Sequence, residues 1–121
     1  MSKKASKFVT KDSGVRIHFA SGAKRDTQEG KPRYDLIPPL ALKRIAELYA
    51  RGAVKYNEHN WSLGISQQRM FSSAFRHLMQ FALGEKDEDH LAAVCFNVMG
   101  IMHFQETGRK DLDDMHDWKK K

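Results

Sequence analysis

The sequence carries a single cysteine, Cys95, among its 121 residues. That excludes an internal disulfide framework and a cysteine-based zinc site, and it fits a reducing cytoplasm. No stretch reaches the ~18–20 apolar residues of a membrane span. The longest apolar run, Leu91 to Phe104, is interrupted by Asn97 and His103, so no membrane partner is expected. The opening MSKKASKFVTK lacks the apolar core of a secretory signal, and none is expected there. Prolines number only three, two of them adjacent at Pro38-Pro39, and no internal repeat or low-complexity block occurs. Acidic residues are missing altogether from Gln67 to Leu83. What is there is 40 % hydrophobic and 30 % charged, the composition of a folded domain rather than a disordered one. The length suits one domain with its own core.

The net charge of +6 is not spread evenly. Residues 1–33 hold nine Lys/Arg against three Asp/Glu, residues 34–108 seven against eight, and residues 109–121 five against four. The excess belongs to the first 33 residues, and the body is close to neutral. A basic arm on a neutral body reads as a nucleic-acid tail, or as phosphate-binding residues gathered in one segment. The bland reading is a solvated tail, which suits Lys3, Lys4 and Lys7 best.

Residues 1–20 read as a basic arm. Phe8-Val9-Thr10 and Val15 to Phe19, with Asp12-Ser13-Gly14 between them, suggest a small hairpin. Ser21 to Pro39 reads as an extended loop. Helix signals then dominate. Pro38-Pro39 opens a first helix carrying Leu42, Ile45, Leu48 and Tyr49, with Gly52 as its stop. Ser66 is a candidate N-cap for a second helix whose stripe is Met70, Phe71, Ala74, Phe75, Leu78, Phe81 and Ala82, ending at Gly84. The acidic link Glu85 to Asp89 leads into a third helix, expected to bury Leu91, Val94, Cys95, Val98, Ile101 and Met102 and to end near Gly108. Acids suit a helix start. A short fourth helix is expected from Asp111, with Leu112, Met115 and Trp118 on one side. The fold class is therefore all-α: a small bundle of three long helices plus a short C-terminal one, preceded by a basic arm or small hairpin. The domain plan is an arm over 1–20, a body over 21–108 and the short helix over 109–121. So many large apolar residues on so small a bundle predict a homo-oligomer.

Some residues are not what a core asks for. On a helical wheel His77 falls at the edge of the second helix's apolar sector, and Arg76 points to its flank. His90 and Asn97, seven apart, share a face of the third helix with Val94 and Ile101. Buried polar groups must be hydrogen-bonded. Either His77, His90 and Asn97 satisfy one another across the helix pair, or they line a polar pocket. Glu47, flanked by Arg44 and Arg51, reads as a solvated, salt-bridged acid. Glu85, Asp87, Glu88 and Asp89 are either helix-start acids or ligands for Mg²⁺, a hard cation that prefers carboxylate oxygen. Asp89 beside His90 also offers a mixed pair suited to a transition metal.

Two loop clusters add to this. In Gly30-Lys31-Pro32-Arg33-Tyr34-Asp35, Lys31 and Arg33 suit phosphate and Tyr34 can stack or donate. Lys55, Tyr56, Asn60 and Trp61 supply an aromatic face and an amide, which a nucleobase site needs. The competing reading is that loop aromatics plug the core.

The strings GAKRDTQEGKPRYDLIPPLAL, LYARGAVKYNEHNW, SAFRHL and GEKDEDHLAAVCFNVM, in that order, resemble the dATP/dGTP diphosphohydrolase N-terminal domain found mostly in phage proteins. That family is related to the all-α MazG-like NTP pyrophosphohydrolases. The resemblance covers Val9 to Glu106. It implies an α-helical nucleotide-binding domain, placed here at 21–108 and often oligomeric, acting in the host cytoplasm on purine deoxynucleoside triphosphates. The implied reaction is attack of a metal-activated water between the α- and β-phosphates, giving monophosphate and pyrophosphate, with Mg²⁺ (or Mn²⁺) as cofactor. Matched motif positions put Lys31, Arg33, Tyr34, Asp35, Lys55, Tyr56, Asn60, Trp61, Arg76, His90 and Asn97 at the substrate. They put Glu85, Asp87 and His77 in catalysis, and Glu85, Asp87 and Asp89 at the metal.

The sequence departs from the MazG-like pattern in one respect. Those enzymes hold Mg²⁺ with E-x-x-E on one helix and E-x-x-D on the next, whereas the second helix here has no acid. Either the Glu85–Asp89 link holds the metal together with His77 or His90, or the domain binds a nucleotide without hydrolysing it. A nucleic-acid binder acting through the basic arm is a third reading.

Overall fold

A computed structural model describes residues 8–116. The chain forms two compact units, Met1–Tyr34 and Asp35–Lys121. Residue 20 lies between the two strands of a hairpin. Lys3, Lys4, Lys7 and Trp118 lie outside the described residues.

In the first unit, strand β1 (Arg16–His18) pairs antiparallel with β2 (Lys24–Asp26), and Ile17 stands opposite Arg25. The hairpin exists, but its partner strand comes from the expected loop rather than from residues 8–10. The reason is local. Gly22, at φ 90°, closes the turn between Phe19 and Ala23, a conformation glycine adopts without steric cost. Asp12-Ser13-Gly14 is spent differently. Gly14 donates its backbone N–H to Asp12 Oδ1, and the Ser13 hydroxyl donates to the Asp26 carboxylate. Arg16 clamps Asp12 with two 2.6 Å hydrogen bonds, and Lys31 Nζ lies 3.3 Å from Asp26.

The second unit is a helical bundle built from α1 (Pro39–Tyr56), α2 (Gln67–Ala82) and α3 (His90–Glu106). Helix α3 is central and packs on both α1 and α2, most extensively on α2. Pro39 occupies the first turn of α1, where its missing N–H costs nothing. The helix does not stop at Gly52 but runs on to Tyr56, because glycine only weakens a helix interior, by roughly 1 kcal/mol. Ser66 caps α2 as expected, its side chain accepting from the Arg69 N–H, and Asp89 caps α3 by accepting from Ala92 N–H. Gly84 and Gly108, both at positive φ, follow the ends of α2 and α3.

The buried faces differ from the predicted stripes. Helix α3 buries His90, Ala92, Ala93, Asn97, Gly100 and Phe104, while Val98 and Met102 are exposed. In α2 the buried residues are Met70, Ala74 and His77, while Phe71, Phe75, Leu78 and Phe81 are exposed. An apolar helix placed centrally has no single stripe that its residue types reveal. Close approach selects the face instead: Met70 lies over Gly100, where a Cβ would stand 2.9 Å from its sulfur. The fourth helix is, over the described residues, a single 3-10 turn at Lys110–Leu112 packed on α3. The Asp113 carboxylate draws the backbone N–H groups of Met115 and His116, a local alternative that competes with helix.

Candidate functional site

Helix α1 leans on α3 and leaves a hollow on each side. The first, about 760 Å³, is aromatic: Tyr49 and Tyr56 from α1, Trp61 from the following loop, and Phe96 and His103 from α3. Trp61 meets His103 edge-on at 4.9 Å and Tyr49 at 6.4 Å, and Tyr49 packs on Phe96 at 5.0 Å. Such T-shaped and tilted pairs hold the rings in place. Asn57, Glu58, His59 and Asn60 supply the polar rim. Asn57 (φ 82°) and His59 (φ 58°) hold left-handed conformations that cost non-glycine residues free energy. Backbone strain of this kind gathers at binding sites.

The second hollow, about 880 Å³, is polar. Arg51 and Lys55 come from α1, Ser73 and His77 from α2, Lys86 to Asp89 from the link, and Ala93 and Asn97 from α3. Gly52 and Phe96 line both hollows, so the two meet across α1. Consecutive residues serve different sides: Lys55 lines the polar groove and Tyr56 the aromatic pocket, with Lys55 Nζ 5.0 Å from the Tyr56 ring centre.

His77, which lines the groove, and His90, which pairs with it, are buried, at 8 % and 3 % exposure. Their Nδ1 atoms stand 2.9 Å apart, and His90 Nε2 lies 2.8 Å from Asp87 Oδ1. An ionised carboxylate only accepts, so His90 carries its proton on Nε2 and leaves Nδ1 bare. The proton between the rings therefore belongs to His77. Burial pulls the His77 pKa below its ordinary value, with Arg76 nearby acting the same way, so the imidazole is neutral at pH 7. The hydrogen bond from His90 holds Asp87 below the usual carboxylate range. Asn97 donates to the Ala93 carbonyl at 2.8 Å rather than to either histidine. Two groups of side chains converge closely enough to hold a cation, His77–Glu88–His90 and Glu85–Asp87–His90, each with ligand atoms within 4.8 Å of one another.

The remaining predicted residues have other partners or lie in other places. Asp89 accepts from Arg44 Nε at 2.9 Å and Nη2 at 2.6 Å, so both of its oxygens face α1 and the α3 cap. Arg44 thus pairs with Asp89, an acid 45 residues away. Arg76 bonds Gln80 at 3.3 Å and lines a third hollow with Phe71 and Phe75, away from His77's groove. Lys31, Arg33 and Tyr34 belong to the N-terminal unit, and Asp35 sits in a 3-10 turn, Tyr34–Leu36. Tyr34 is 76 % exposed.

The sequence reading assigns no site role to Tyr49, Phe96 and His103 in the pocket or to Arg51 and Lys86 in the groove. Phe96, Gly100 and His103 share one face of α3 at helical spacing, a signal that was present but was masked by apolar residues all round. Arg51 and Lys55, four apart, were equally visible.

No helix among the described residues is long and apolar enough to cross a membrane. No curated protein and no solved structure matches the chain. Residues 21–115, most of the chain and both hollows with it, match the family described as dATP/dGTP diphosphohydrolase, N-terminal. The protein belongs to that family.

Proposed function

We propose that this chain binds a purine deoxynucleoside triphosphate across α1, with the base in the aromatic pocket and the phosphates in the groove, and hydrolyses it to monophosphate and pyrophosphate. The observation that carries the reading is the meeting of the two hollows at Gly52 and Phe96, one aromatic and one lined by three cations. Each has the size of a small-molecule site. Tyr56, Trp61 and Asn60 suit a stacked, hydrogen-bonded base, although stacking alone does not separate adenine from guanine. Arg51, Lys55 and Lys86 suit phosphate oxygens. Asn97 lines the groove, and His90 holds His77 beside it.

Glu85 and Asp87 fit Mg²⁺ (or Mn²⁺), which binds through one or two carboxylates plus substrate phosphates and waters and would neutralise phosphate charge and acidify a bound water. The neutral His77 converges instead with Glu88 and His90. Asp89, held by Arg44, orders the link that carries these acids. The uncovered apolar rings of α2, such as Phe75 and Phe81, support a homo-oligomer. One cysteine and the family resemblance suit the reducing cytoplasm of a phage's host.

The test is product analysis. Each deoxynucleoside triphosphate is incubated with the protein and Mg²⁺ or Mn²⁺, and monophosphate and pyrophosphate are separated. Turnover of dATP or dGTP abolished by chelator is expected; absence of turnover with every triphosphate overturns the hydrolytic reading. The absence of acids from α2 favours a second reading, nucleotide sequestration, whose signature is tight binding without turnover, indifferent to chelator.

A further inference from the structure

We infer that Nδ1 of His77, Nδ1 of His90 and the carboxylate of Glu88 form a site for a first-row transition dication of the zinc class, adjoining the carboxylates proposed for Mg²⁺ through Asp87. The inference rests on the proposed function only in placing the chemistry in this groove. Three observations support it.

The first is the donor set. Two imidazoles and one carboxylate, with ligand atoms within 4.8 Å of one another, match what zinc-class ions select, whereas Mg²⁺ selects oxygen. The second is spacing. Two nitrogens on one ion at about 2.0–2.1 Å stand about 2.9–3.4 Å apart for angles from octahedral to tetrahedral. The two Nδ1 atoms are 2.9 Å apart, with the rings tilted by 37°.

The third is the outer shell. A metal-bound histidine characteristically donates its other ring N–H to a carboxylate, which fixes the tautomer and directs the bare nitrogen at the ion. Asp87 does this to His90 at 2.8 Å, on a ring that is 97 % buried by the 3 % exposure already noted.

Loading replaces the proton shared between the rings. That proton moves to Nε2 of His77, so both imidazoles bind as neutral ligands and no net proton is released from them. Three protein ligands leave a coordination position open toward the groove that His77 and Glu88 line. Asp87 and Glu88 together offset the charge of the dication.

The experiment uses the untagged full chain, stripped with chelator and without nucleotide, so its outcome is independent of hydrolysis. Zn²⁺ and Co²⁺ are titrated separately, bound metal is counted by elemental analysis, and the visible absorption of Co²⁺ is recorded. One ion per chain is expected, with a visible Co²⁺ band that a large excess of Mg²⁺ does not remove. Asp87→Asn should weaken binding about 10–100-fold. His77→Ala should abolish the band. Glu88→Gln, at an exposed residue whose loss leaves the fold intact, should weaken binding and shift the band even if His77→Ala fails to fold. No uptake by the wild-type chain overturns the proposal. An ion retained unchanged by Glu88→Gln and Asp87→Asn does so too, since it then sits on other histidines.

Discussion

Asp89 performs two structural jobs, and each can be removed separately. Its carboxylate caps α3 through Ala92 N–H at 3.1 Å and clamps Arg44 of α1 through two hydrogen bonds. Arg44, first, and the cap, further down, hold its pKa at about 2 instead of 3.8. Taken at face value that shift corresponds to about 2.4 kcal/mol at 1.36 kcal/mol per unit. Arg44 is more than half exposed, so solvent screening reduces the pair to about 1 kcal/mol.

Asn caps as well as Asp. Asp89→Asn therefore loses only the ion pair, about 1 kcal/mol. Asp89→Ala also loses the cap, for a total of about 2 kcal/mol. The assay is urea unfolding followed by helical circular dichroism at pH 7, for wild type, both Asp89 variants, Arg44→Met and the Arg44→Met/Asp89→Asn double variant. With Arg44 already gone, Asp89→Asn should cost nothing further. The pH dependence has a definite sign. The folded pKa is depressed, so the contribution is complete above the unfolded carboxylate value near pH 4 and is lost as pH falls toward 2. Asp89→Asn should flatten that part of the acid limb. Equal stability of Asp89→Asn and wild type, or additive losses in the double variant, would refute the reasoning.

Two further expectations follow from packing. In Gly100→Ala the new methyl overlaps the end of Met70, which is 1 % exposed and must shift within the α2–α3 seam; overpacking of about 1–3 kcal/mol outweighs a helix-propensity gain of about 1 kcal/mol. Chemical denaturation should show a net loss, and a more stable variant would contradict the close approach of α2 and α3. Light scattering should give a mass above the 13.9 kDa of one chain, falling to one chain in Phe75→Glu; a monomer at every concentration would contradict the covering of α2's outer face.

The helices were legible because their punctuation is local. Ser66 before Gln67, Pro39 in a first turn and Gly84 or Gly108 after a last one act through neighbours one to four residues away. Long-range choices were not legible. Arg44 has Glu47 nearby in sequence, yet it binds Asp89 across the bundle. Val98 and Met102 are as apolar as any core residue, yet the face that packs is the one with Ala93, Asn97 and Gly100, because small residues let α2 approach. Tyr56, Asn60 and Trp61 were legible as an aromatic–amide cluster and do line one pocket. Tyr49, two turns back on α1, and Phe96 and His103 from α3 complete it. His77 and His90 were recognised as polar groups on buried faces, and the structure pairs them. Asn97, expected with them, instead satisfies itself on its own helix.

The central claim is that one nucleotide spans both hollows. The most direct measurement is a calorimetric titration of the full chain with dATP and dGTP, repeated on Tyr56→Ala and Lys55→Ala, adjacent exposed residues that line opposite hollows. Loss of a stacking ring should cost about 1–3 kcal/mol of binding, roughly 5–150-fold in affinity, for nucleoside and triphosphate alike. Loss of Lys55 should weaken the triphosphate and leave the deoxynucleoside unchanged. Wild-type affinity for the triphosphate in both variants would contradict the account.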